Sequence, residues 1–161
     1  MSNVFHPYQL GDDFVELVDK TGRTWKFAPL TVGQRFRIQS RLRDKLPDPM
    51  KLYHEARQGE PADVAAKLFQ VAAKERAFWP PPVESCGIQI AETPELRTDF
   101  IREMLTKNQP GVTSEEAAEL AEEMNNSIFG YLFVFATTGL RPDDPNRSSA
   151  DQVPAAPTGS N

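Results

Sequence analysis

The chain has 161 residues, which suits one domain, and its formal charge of −5 at pH 7 argues against a general affinity for nucleic-acid phosphates. A single cysteine, Cys86, excludes an internal disulfide framework and fits a reducing cytosol. Hydrophobic residues make up 39% of the chain, enough for a core, while 14 prolines assign a good part of it to loops or tail.

Residues 1–12 have neither a basic start nor an apolar run, so no signal peptide is expected and the segment is read as an N-terminal arm. From Asp13 to Ala28 the pattern predicts a β-hairpin. Phe14, Val15, Leu17 and Val18 form its first run, and Thr24, Trp25 and Phe27 its second, with Lys26 on the opposite face. Asp19 and Gly22 stand at the two ends of the turn between them, where each residue type is favoured. Two strands alone are marginal in water, so the hairpin needs helices or a third strand. The segment Ile88-Gln89-Ile90 is one candidate for that strand.

Pro29-Leu30-Thr31 opens the first helix, which runs to about Leu46 before Pro47. Thr31 and Gln34 have the spacing of a capping box, in which each side chain satisfies a backbone amide of the other. Ile38, Leu42 and Leu46 form one apolar row, and Val32 with Phe36 a second. Arg35, Gln39 and Arg43 lie between the rows, while Arg37, Arg41 and Lys45 face outward. Four fates are open to this basic helix: a solvated or internally paired face, a seam between neighbours where the arginines snorkel, the glutamates that follow Ser114, or an acidic partner. Asp48-Pro49 then starts a short helix to Gln58, ended by Gly59. A longer, alanine-rich helix follows Pro61, with Val64, Leu68, Val71 and Phe78 on one stripe and Lys67, Gln70 and Lys74 opposite, stopped by Trp79 and the prolines after it.

Thr93-Pro94-Glu95 starts the next helix, which turns Leu96, Phe100, Met104 and Leu105 inward and ends near Asn108. A tight turn at Gln109-Pro110-Gly111 predicts an antiparallel partner, capped by Thr113 with Glu116 or by Ser114. That last helix is expected to continue unbroken to Gly139 and Pro142. Its second half, Ile128 to Phe135, is apolar on every side, so other elements should cover it all round, yet it is well short of the roughly 20 residues that span a bilayer. Residues 141–161 lack aromatics and hold one large aliphatic residue, which predicts a disordered tail. The expected fold is therefore α+β and mainly α: an N-terminal hairpin, four to five helices in a small bundle over residues 13–140, and the tail.

No reactive centre is expected. His6 and His54 sit in separate segments without ligand spacing, Cys86 is a lone thiol in a proline-rich loop, and there is no phosphate-binding loop or nucleophile elbow. The residues with a claim to a protein partner are Arg35, Arg37, Arg41 and Arg43 on the basic helix, with Trp25 and Trp79.

The hairpin with Gly22 leading into Pro29-Leu30-Thr31, followed by a mainly helical body and a polar tail, resembles the tail-assembly chaperones of tailed bacteriophages and prophages. The stretch from Trp79-Pro80-Pro81 through Leu105 to Gly111, Glu116-Ala117 and Gly139 is similar to proteins of phage-derived gene clusters, and together they cover most of residues 13–140. The resemblance implies a non-catalytic protein without cofactors that binds the tape-measure protein in the bacterial host's cytoplasm during tail morphogenesis. Several copies would coat one long client, held by avidity, with homo-oligomers a further form. It implies neither nucleic acid nor membrane as partner. A structural virion component remains open, a tail-completion or connector subunit forming rings through the hairpin edge and the basic helix. So does a small regulatory adaptor that binds through the tail or that helix.

Overall fold

Asp19 organises the N-terminal turn. In the computed structural model, which describes residues 14–142 and the backbone of residues 5–6, its carboxylate accepts hydrogen bonds from the amides of Thr21 (2.8 Å) and Arg23 (3.0 Å), from Thr21 Oγ1 (2.6 Å) and from Trp25 Nε1 (2.8 Å). Gly22 sits at φ +85°, a backbone angle that side-chain-bearing residues rarely adopt. The turn joins strands β2 (Val15–Val18) and β3 (Thr24–Phe27), paired antiparallel with Val15 opposite Phe27 and Leu17 opposite Trp25. Alternation puts those four residues on one buried face, and Glu16 and Lys26 on the other, 3.6 Å apart.

Desolvation raises the Asp19 pKa, but the four donors outweigh it and hold the group at about 2 against an ordinary 3.8. A carboxylate with a depressed folded-state pKa stabilises the fold above its unfolded value, and loses that contribution as pH falls through the folded one. Asp19→Asn is therefore expected to cost about 1 kcal/mol at pH 7, and the gap to wild type should close between about pH 4 and pH 2. Urea unfolding across that range checks it; a gap that is constant with pH would contradict the assignment.

The third strand is β1 (Phe5–His6), antiparallel to β2 with Phe5 opposite Leu17. Ile88 to Ile90, offered as a candidate for that place, is instead helical within α4 (Gly87–Glu92). A strand would put both isoleucines on one face, whereas here Ile90 is buried and Ile88 is exposed. The free edge of β3 is covered by side chains: the Gln109 amide accepts from Lys26 N (2.9 Å) and donates to Thr24 O (3.3 Å).

Residues 28–30 stitch the sheet to the helices. Ala28 N donates to Met104 O and Leu30 N to Ala136 O, satisfying carbonyls near the C-terminal ends of two helices that have no intrahelical partner. Helix α1 (Val32–Lys45) then begins with the expected capping box between Thr31 and Gln34. It buries Ile38 and Leu42 against the core, but Val32 and Phe36 are exposed, with no neighbour among the described residues over that side of the helix. Helices α2 (Pro49–Ala56) and α3 (Ala62–Ala77) form a hairpin whose main packing partners are each other. The expected stripe on α3 accordingly divides. Val64 and Leu68 are half-buried, with Ala72 buried four residues on, whereas Val71 and Phe78 point to solvent because α2 covers only one side.

After a single 3₁₀ turn at Val83–Ser85 and α4, helix α5 (Pro94–Leu105) runs through the core with Leu96, Phe100, Met104 and Leu105 all buried as expected. Its partner is antiparallel, since Arg102 near its end reaches Ser114 and Arg97 near its start reaches Met124. The expected unbroken helix from Ser114 is in fact two: α6 (Ser114–Glu123) and α7 (Asn126–Thr138). Asn125 breaks it by capping α7, its side chain accepting from Ile128 N at 2.8 Å. Gly139, at φ +71°, closes α7 as expected. Between Ile128 and Thr137 only Gly130 is exposed, in keeping with an all-round apolar helix. The described residues thus hold seven α-helices rather than four or five, the additions being α4 and the α6–α7 break. The expected N-terminal arm, apart from the Phe5–His6 backbone, and nearly all of the expected disordered tail lie outside the described residues.

Candidate protein-interaction surface

The basic helix finds its acids inside the chain. Arg37 is bidentate to Glu103 (2.9 and 2.8 Å), Arg41 meets Asp99 (3.1 Å) and Lys45 meets Glu95 (2.8 Å). Both sets recur every four residues, so two helix faces meet as a ladder. The expectation that these three cations simply face outward is corrected in that sense: each is partly exposed and each is paired with α5. The glutamates after Ser114 serve the hairpin instead, Glu116 with Arg23 and Glu123 with Lys20. Arg35 donates to Glu84 and to the Leu30 and Thr137 carbonyls. Arg43 reaches only Ser40 and Asp44 of its own helix, and it remains the most open of the four arginines.

Neither tryptophan offers a broad face. Trp25 is buried in the core, with the Arg23 guanidinium 3.9 Å from the ring centroid, and Trp79 is half-buried ahead of Pro80. The Pro80 and Pro81 carbonyls accept from Gln39 Nε2, which ties the end of the α2–α3 hairpin to α1.

Among the described residues, reactive groups do not converge. Cys86 is buried, and burial pushes its thiol further from the reactive thiolate. His54 is exposed on α2 with its ring 5.2 Å from that of Tyr53. Among the described residues no cluster of three His, Cys, Asp or Glu side chains is placed to hold a metal ion, and no helix is long and apolar enough to cross a membrane.

Uncovered apolar surface is what the fold does present. Val32 is 69% exposed and Phe36 65% on α1, Phe78 is 79% exposed just beyond α3, and Ile88 71% on α4, joined by Leu52, Phe69 and Val71. Seven of the eight large apolar side chains exposed among the described residues fall between positions 32 and 88, while α5 to α7 keep theirs inside. Exposed large apolar side chains are surface from which a protein contact can be built, and here they concentrate in one stretch of the described residues. Sequence periodicity placed Val32 with Phe36, and Val71 with Phe78, on apolar faces of their helices. Periodicity reports an apolar face and not whether anything lies over it.

A second feature escaped the sequence reading altogether. A cleft of about 660 Å³ opens between α5 and α6, lined by Pro94 and Thr98 on one wall and by Glu115, Ala118, Ala121 and Glu122 on the other. Comparisons with protein-family models, with curated proteins and with solved structures return no match.

Proposed function

We propose that the chain is a non-catalytic assembly protein of a tailed phage or prophage that binds apolar helical segments of a tape-measure protein in the host cytoplasm before the tail tube closes around them. The observation that supports this reading is the set of exposed apolar side chains on and beside four consecutive helices, α1 to α4, in a chain whose core is otherwise well filled. Helix-in-groove and helix-on-helix recognition use such anchors, spaced three, four or seven residues apart. Val32 and Phe36, four apart, are one such pair. A ring-forming virion subunit would draw on the hairpin edge and the basic helix, and both already have partners within the chain.

Co-expression with the tape-measure protein is expected to raise that protein's soluble yield and to co-purify the two. Phe36→Asp should cut the captured amount at least tenfold while leaving unfolding within about 0.5 kcal/mol of wild type, since the ring packs little on its own chain. Unchanged yield without co-purification, or full capture by the variant, would reject the reading. The chaperone role further requires that the protein be absent from purified particles.

A further inference from the structure

The α5–α6 cleft and the outer face of α3 are complementary. On α3, Lys67, Val71 and Lys74 share one face, with Val71 four residues after Lys67 and three before Lys74; all three are exposed. On α6, Glu115, Ala118 and Glu122 line the cleft, with Ala118 three residues after Glu115 and four before Glu122. The same spacings run in opposite order. Each charge pair is seven residues apart, roughly 10.5 Å along a helix. Neither the two lysines nor the two glutamates have an ion-pair partner among the described residues, unlike Glu95 and Asp99 on the opposite wall, which Lys45 and Arg41 neutralise. The remaining cation in the cleft, Arg97, is turned to the Ala91 and Met124 carbonyls and to Asn126.

We propose that α3 of one copy lies antiparallel in the α5–α6 cleft of the next, with Lys67 against Glu122, Lys74 against Glu115, and Val71 over the small side chain of Ala118. The two surfaces differ, so the contact is head-to-tail, and a pair of copies keeps one free cleft at one end and one free α3 at the other. Self-association of this kind is independent of the client's identity and leaves Val32 and Phe36 uncovered. Salt-exposed charge pairs make it weak and dependent on ionic strength.

Sedimentation of the full chain at low ionic strength tests it. The wild-type protein is expected to associate progressively as concentration rises to the millimolar range, and less so as salt is added. A variant with Lys67→Glu and Lys74→Glu, and another with Glu115→Lys and Glu122→Lys, should each associate at least tenfold more weakly. Mixed together, the two variants are matched at both contacts, α3 of either one against the cleft of the other, and should recover association as alternating copies. All four exchanges in one chain should restore association. A wild-type chain that stays monomeric at every concentration would overturn the proposal, including the case where the cleft instead captures a basic segment of another protein. Variants that associate like wild type would overturn it too.

Discussion

Phe100→Ala is expected to destabilise the fold by about 4 kcal/mol, which for a chain of this size lowers the melting temperature by roughly 10 °C. Phe100 is completely buried and packs against two rings of α7, Phe129 at 5.6 Å with planes at 55° and Phe133 at 5.4 Å with planes at 23°. Truncation removes the transferred apolar area, opens a cavity where α5 meets α7, and deletes both ring contacts. Thermal unfolding followed by circular dichroism measures the effect. A loss below about 1.5 kcal/mol would mean that the surrounding helices collapse into the space, and that the core is not as tightly specified as its burial implies.

Arg97→Ala comes next, at about 3 kcal/mol. The Arg97 guanidinium donates to the carbonyls of Ala91 (3.3 Å) and Met124 and to Asn126 Oδ1 (3.0 Å), and it lies 4.7 Å from the Phe129 ring centroid. One side chain therefore joins α4, the break between α6 and α7, and the start of α5. Burial pushes its pKa below the ordinary arginine value and Nε has no partner, so the site strains to hold the charge and depends on the remaining donors. Lysine keeps the charge but not the fork, and Arg97→Lys is expected to recover less than half of the loss. Urea midpoints for the two variants decide this; near-complete recovery by lysine would show that charge alone suffices.

What the sequence made legible was chemistry confined to a few neighbouring residues. The capping boxes at Thr31 and Thr113, the Asp48 cap, the turn at Gly22 and the stop at Gly139 each depend on residues within one turn, and each stands where expected. The break at Asn125 was hidden because Leu120, Met124 and Ile128 keep a four-residue apolar spacing straight through it. Only the capping preference of asparagine signals the interruption. The ladder between α1 and α5 had a visible signal in the matching spacing of Arg37, Arg41 and Lys45 with Glu95, Asp99 and Glu103. The sequence reading named only the denser glutamates of α6 as acids within the chain, as one of several open fates for the basic helix. The candidate surface was legible as residues but not as surface, because whether Phe36 or Val71 is covered depends on where α5 and α2 are placed.

Calorimetric titration of the purified chain with a purified helical segment of the proposed tape-measure client, at several temperatures, tests the central claim most directly. Apolar helix-on-helix contact predicts saturable binding with a negative heat-capacity change, both lost in Phe36→Asp and both retained in the variant with Lys67→Glu and Lys74→Glu. Absence of binding, or binding that Phe36→Asp leaves intact, would contradict a protein that works through the uncovered side chains of α1 to α4.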